Sequence, residues 1–191
     1  MEKEKTSLAD ARNTAAALLR HLRKYCVRCK VAGSVRRKKP EVSDIEIVYV
    51  PRVERKEISD QLFPHSRTVN LMDEEISKLL AAGLLRLRLN KHGHPIGAGR
   101  QNKFLVHVDS GMPLDLFSCS LENWCNVLTC RTGSAASNER ISNAALAMGY
   151  HWRTGGPGFE AMSDGGIIPV YSEEEVFAFV GLEYLRPELR A

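Results

Sequence analysis

The sequence has no apolar run approaching the ~18–20 residues that a membrane-spanning helix needs, so no membrane partner is expected. No secretory leader is expected either, because MEKEKTSLAD is too polar for the apolar core of a signal peptide. Cysteine is scarce. Five residues, an odd number without regular spacing, argue against a disulfide framework and imply free thiols in a reducing, cytoplasmic setting. Internal repeats and low-complexity stretches are missing as well. What is there is an ordinary globular composition, 43% hydrophobic and 26% charged over 191 residues. That length suits one domain or two small ones and buries a real core without staples.

The formal net charge of +4 hides an uneven distribution. Residues 1–40 carry 12 basic and 3 acidic side chains, residues 41–110 carry 10 of each, and residues 111–191 carry 5 basic and 10 acidic. A basic first fifth fits a polyanionic partner such as nucleic acid or a nucleoside triphosphate. It fits equally a solvated helix face followed by a basic loop.

Periodicity predicts a helix over 7–25, with Ser7 and Asp10 as a capping pair and Leu8, Ala11, Ala15, Leu18, Leu22 and Tyr25 on one face. Val27, Cys29 and Val31 alternate with Arg28 and Lys30 as a half-buried strand, and a second strand runs from Asp44 to Val50. Residues 51–72 are weakly patterned. A short helix is expected over 73–83, a Leu/Arg-alternating strand over 84–89, a loop over 90–101, and a hairpin from 104–108 to 113–118. Helices follow over 120–128 and 134–148, short strands over 150–152 and 167–170, and a last helix over 173–180. The expected class is α+β, with a soft boundary near 119–133.

Chemistry concentrates on one strand. Period-2 alternation puts Asp44 and Glu46 on one face and Ile45 and Ile47 on the other. Adjacent carboxylates repel unless a cation lies between them, and hard oxygen ligands favour Mg²⁺ or Mn²⁺. One acid in solvent and one in a salt bridge is the plainer alternative. Upstream, Gly33 allows close backbone approach to a phosphate, Ser34 offers a hydroxyl donor, and Arg36-Arg37 offer guanidinium forks. Asp115 stands alone in the apolar run Pro113-Leu114-Asp115-Leu116-Phe117 and needs a partner, which a third ligand position on a metal pair supplies.

These residues carry a resemblance. Gly33-Ser34 followed by Asp44-Ile45-Glu46 resembles the nucleotidyltransferase signature, and residues 31–46 as a run are similar to the palm of the DNA polymerase beta-like group, family X. Asp115 matches that group's third carboxylate. Arg131-Thr132-Gly133-Ser134 with Asn138 resembles the segment lining the nucleotide sugar and base, and residues 168–177 and 181–188 resemble the chain end. The resemblance implies a catalytic palm over 1–128, with a mixed, largely antiparallel sheet and flanking helices. It implies a small C-terminal closing subdomain with a short sheet over 129–191. It further implies Asp44, Glu46 and Asp115 as holders of two Mg²⁺ ions (Mn²⁺ in place of them), with Asp115 nearest the attacking 3′-hydroxyl. Ser34 and Arg37 would meet the β- and γ-phosphates, with Gly33 beside them and a backbone contact from Ser43. Arg131, Thr132, Gly133 and Asn138 would line the nucleotide.

The implied function is gap-filling nucleotide addition to a DNA 3′-hydroxyl by a monomer, with nucleoside triphosphate and DNA as partners. Another acceptor within the same superfamily, or a non-catalytic nucleic-acid-binding module, are the alternatives. The chain departs from the pattern in three ways. No N-terminal lyase domain is expected before the palm, the second carboxylate is Glu46 rather than Asp, and Cys130-Arg131 stand where the group's best-known members carry an aromatic pair that crowds the sugar 2′ position. Outside these blocks, Cys26-x-x-Cys29 reads as a lone pair without a metal complement, and Cys119, Cys125 and Cys130 read as packing residues. His92 and His94 read as loop residues, the Arg86/Arg88 face as either a nucleic-acid track or a solvated strand, and Trp124, Trp152, Met148, Phe177 and Phe179 as core.

Overall fold

The computed structural model describes residues 5–58, 65–97 and 99–190. The fold is α+β, with a mixed, largely antiparallel main sheet, flanking helices and a C-terminal part with its own small sheet. Strand β1 (Thr6–Ser7) leads into helix α1 (Leu8–Leu22), capped by the Ser7 hydroxyl accepting from the Asp10 N–H at 3.2 Å. Ala11, Ala15, Leu18 and Leu22 form its buried stripe. Then come β2 (Cys26–Val31), the one-turn helix α2 (Gly33–Arg36), β3 (Glu41–Val42), which pairs with β1, and β4 (Ile45–Pro51). Beyond them lie β5 (Val53–Ile58), β6 (His65–Asn70), α3 (Leu71–Ala81), β7 (Leu85–Leu87), β8 (Asn102–His107) and β9 (Pro113–Ser118).

The main sheet has the order β2-β4-β9-β8-β7, and only β4 and β9 are parallel. Its two faces support two clusters. Ile45, Ile47, Tyr49, Leu114 and Leu116 pack under α1 and α3 with Leu22, Met72 and Ile76. Val48, Val50 and Phe117 pack on the opposite face with Trp124, Val127 and Leu128. A strand buried on both faces reads as a continuous apolar run. Ile45-Glu46-Ile47-Val48-Tyr49-Val50 is such a run, with Glu46 its one carboxylate.

The C-terminal part holds α4 (Trp124–Thr132), α5 (Ala135–Ala147), the antiparallel strands β10 (Tyr150–Trp152), β11 (Gly158–Ala161) and β12 (Ile167–Pro169), and α6 (Glu173–Phe179). Ile141, Trp152, Phe159, Val176 and Phe177 centre its core, where Phe159 and Phe179 stack at 4.4 Å. Two polar ties fix this part, one within it and one to α2. Asn126, fully buried on α4, donates to the Arg153 and Gly156 carbonyls at 2.5 and 3.0 Å and accepts from the Trp152 indole at 2.5 Å. Glu173 at the start of α6 receives Arg36 from α2 and Arg190 (2.6 Å) from the chain end. Burial pushes the Glu173 carboxyl up, but the two guanidiniums outweigh it and hold it below the usual range.

Several expectations shift. The weakly patterned stretch 51–72 contains the hairpin β5–β6, apart from the main sheet. Both faces of it meet solvent, so no burial imprinted an alternation; residues 59–64 lie outside the described residues. Helix α3 starts at Leu71 rather than 73, because the Asn70 side chain accepts from the Met72 and Asp73 N–H groups. Helix α4 starts at Trp124 rather than 120, because Ser120 and Asn123 close a side-chain turn first. β11, unanticipated, is the middle strand of the small sheet. Val27 points outward because of an irregularity in β2, and Met148, expected in the core, is 49% exposed at the end of α5.

Removing the acid between Arg36 and Arg190 strands two cations, one with a side chain that is 0% exposed. Glu173→Ala is expected to destabilise the fold by about 3–5 kcal/mol. A urea melt followed by circular dichroism measures it, and an unchanged midpoint contradicts the tie.

Candidate active site

The site is built where β2 ends. The Ala32 N–H donates to the Glu46 carbonyl at 2.8 Å, closing the β2–β4 ladder, and the chain then turns sharply at Gly33, with φ of +60°. A Cβ at Gly33 would lie 1.8 Å from Glu46 Oε2, so both the backbone conformation and the carboxylate behind it exclude a side chain. The turn sets Ser34 and Arg37 on α2 and its exit. The Ser34 hydroxyl is buried without a hydrogen-bond partner. Arg37 Nη1 donates to the Thr132 and Gly133 carbonyls at 2.7 and 3.1 Å, while its buried Nε is left without an acceptor.

The acids meet across the one parallel pair of strands. Glu46 on β4 is in register with Asp115 on β9, about 4.8 Å away at the backbone. Asp44 and Ser43, both half-buried, lie just before β4. Glu46 has its carboxyl pushed up to about 7 by burial first, then by the charges of Asp44 and Asp115; Arg131 and Arg37 oppose this without cancelling it. Asp115 forms an ion pair with Arg88, whose guanidinium also lies over the Phe104 ring at 4.9 Å. Among the described residues, no three His, Cys, Asp or Glu side chains are gathered tightly enough to enclose a metal ion. The donors nonetheless fit Mg²⁺ in kind, being hard oxygens whose mutual repulsion raises Glu46.

The other wall comes from the C-terminal part. Arg131 lays its guanidinium over the Phe117 ring at 3.9 Å, two residues beyond Asp115. Thr132 is fully buried and its hydroxyl accepts from Arg36 at 2.5 Å. Gly133 packs against Asn138, where an added Cβ would lie 2.3 Å from Oδ1. Asn138 Nδ2 donates to the Cys130 carbonyl at 2.9 Å, and its Oδ1 is buried without a donor.

The structure therefore brings Asp44, Glu46, Asp115, Gly33, Arg37 and Arg131 into one electrostatic neighbourhood and sets Thr132 and Gly133 against Arg37. Sequence reasoning missed Arg88 as the partner of Asp115. A signal was present, since a lone acid in an apolar strand demands a partner, and the Leu/Arg alternation before it offered two cations. His92 and His94 are exposed on their loop. No helix among the described residues is long and apolar enough to cross a membrane.

Residues 127–191 match the family model of the DNA polymerase beta thumb. This supports a relationship of the C-terminal part to the DNA polymerase beta-like group and points to a polymerase-like or nucleic-acid-binding role. Curated proteins provide no match.

Glu46 carries a pH signature. Its native proton affinity exceeds the ordinary 4.5, so the folded state holds a proton that the unfolded chain has lost between there and about 7. Stability of the metal-free protein is thus expected to fall as pH rises through that window, by about 3 kcal/mol in all. Denaturant melts in chelator should show that slope in the wild type and its loss in Glu46→Gln; parallel profiles contradict the assignment.

Proposed function

We propose that the chain is a nucleotidyltransferase that adds nucleotides to a nucleic-acid 3′-hydroxyl with release of pyrophosphate, most simply in gap filling during DNA repair. The observation that carries this reading is the in-register pair Glu46–Asp115 beside the Gly33-Ser34 turn, facing a C-terminal part related to the polymerase beta thumb. On this reading 1–128 is the palm and 129–191 the closing subdomain. Asp44, Glu46 and Asp115 would hold two Mg²⁺ or Mn²⁺ ions, which lower the pKa of a bound hydroxyl and offset phosphate charge. Asp115 would accept the 3′-hydroxyl proton. Ser34, with an unspent hydroxyl, and Arg37 would bind the triphosphate.

Arg37 spends Nη1 on the Thr132 and Gly133 carbonyls and keeps Nε unpaired, so the C-terminal part orients the guanidinium that would meet the triphosphate. Nucleotide entry is thereby linked to the seating of the C-terminal part. Thr132, Gly133 and Asn138 would support the sugar and base, and Arg131 takes the place where an aromatic ring would crowd the 2′ position.

A second reading, a nucleic-acid-binding module without catalysis, is favoured by one observation: Asp115 is already engaged by Arg88. Incubation with Mg²⁺, single-nucleotide-gapped DNA and each deoxy- and ribonucleotide separates the two. Template-directed incorporation is expected, falling about 10²–10⁴-fold in Asp115→Asn with DNA binding retained. DNA binding without incorporation under Mg²⁺ or Mn²⁺ favours the module, and full activity in Asp115→Asn sinks the assignment of that residue.

A further inference from the structure

The β2–β4 ladder pairs Cys26 with Pro51, Arg28 with Val50 and Cys29 with Tyr49. Three residue steps on β2 therefore cover two on β4, and Val27 is the extra residue of a bulge, 54% exposed. In a regular strand, residues 26 and 29 face opposite sides. The bulge turns both onto the side of the main cluster under α1, with Cys26 buried in it and Cys29 half-buried at its margin. It also shortens their backbone separation to about two strand rises, ~6.8 Å, at the upper end of what a disulfide spans. The two thiols lie close enough for each to shift the other's proton affinity. Cys26 Sγ also donates to the Leu22 carbonyl at 3.4 Å, and Arg52 holds the Cys26 carbonyl at 3.0 Å.

We propose that Cys26 and Cys29 are a redox modification site, a dithiol that small-molecule disulfides of the glutathione class convert to an intramolecular disulfide, with Cys29 attacking and Cys26 resolving. This does not depend on the proposed activity. The division of labour follows from the surroundings. The neighbouring Cys26 thiol and the Arg23 guanidinium hold the Cys29 thiol down at about 7, while the Cys29 neighbour and burial push Cys26 up. The other three cysteines are unsuited to attack. Burial pushes Cys119 up to about 12 and raises Cys125 and Cys130.

The chemistry balances in two exchanges. Cys29, its proton lost to solvent, attacks one sulfur of oxidised glutathione; that S–S bond breaks and one glutathione leaves as thiolate, taking up a proton. Cys26 then gives up its proton and attacks the Cys29 sulfur of the mixed disulfide, expelling the second glutathione. The protein loses two electrons and two protons, and one oxidised glutathione becomes two reduced ones. The product locks the bulge on the strand that feeds Gly33.

Reduced full-length protein incubated with oxidised glutathione near pH 7, then alkylated and mapped by mass spectrometry, tests this. A Cys26–Cys29 disulfide is expected, with Cys119, Cys125 and Cys130 alkylated. Cys26→Ser should stall with glutathione on Cys29, and Cys29→Ser should take up none at Cys26. In the reduced wild type, Cys29 should alkylate at least about tenfold faster than the other four thiols. Glutathione resting on any other cysteine, a different pairing, or Cys29 alkylating no faster than the rest overturns the proposal.

Discussion

The contact between the Glu46 carboxylate and Gly33 is the constraint on which the site depends. Glu46 belongs to a strand buried on both faces, with Ile45 and Ile47 fixed in one cluster and Val48 in the other. The strand cannot shift by one residue without exchanging those faces. The carboxylate must therefore stay, and the chain crossing it must lack a side chain. Gly33 satisfies that, and its left-handed turn also aims the next residues. Ser34 is driven inside, and Arg36 and Arg37 reach across to Thr132, Gly133 and Glu173. One forbidden Cβ thus orders both the acidic floor and its junction with the C-terminal part.

Electrostatics is less symmetrical than the composition suggests. Asp115 has a guanidinium partner in Arg88. Glu46 feels Arg131 and Arg37, yet burial and two neighbouring acids win. In the metal-free site that repulsion is relieved by a proton on Glu46, the position a cation would take when the carboxylate is charged. The basic first fifth also divides. Arg36 pairs with Glu173 and Lys38 with Glu188 at 2.5 Å, so part of the contrast between a basic start and an acidic end is an intramolecular junction. Arg12, Arg20, Arg23 and Lys24 stay exposed on α1 and the turn after it, which leaves that face available to a polyanion.

The legible parts of the fold are those where burial imprints a period. α1 announces itself through Ala11, Ala15, Leu18 and Leu22, β4 through its apolar run, and α5 through the Ser134 cap and the left-handed Gly149. The hairpin β5–β6 does not, because neither face is covered. The bulge in β2 was hidden for a different reason. Val-x-Cys-x-Val obeys strand alternation, and the register slip is set by Cys26 pairing with Pro51 rather than by the residues between. For the site, the acids and the Gly-Ser turn are readable because few other chemistries need them at that spacing. Of the partners, Arg88 is signalled only as one of two cations on the Leu/Arg strand, and Arg190 not at all, since an arginine says nothing about which distant acid it will meet.

Unpaired polar atoms add a separate argument for where ligands act. Ser34 Oγ, Arg37 Nε, Arg88 Nε and Asn138 Oδ1 are all buried without a hydrogen bond. Each such atom costs about 1–3 kcal/mol relative to a satisfied one. Tyr49 Oη and Arg190 Nη2 are likewise buried and unpaired elsewhere, so the chemistry of these four, not their clustering, bears on a ligand. These four lie on the Gly33–Arg37 turn, the Asp115 partner and the 132–138 segment. The hydroxyl and the two guanidinium nitrogens are donors, and the Asn138 oxygen is an acceptor. An occupant that meets Ser34, Arg37 and Asn138 presents anionic oxygens to the first two and a hydrogen-bond donor to the third. A nucleotide has that polarity, with phosphates at one end and donors on its sugar and base.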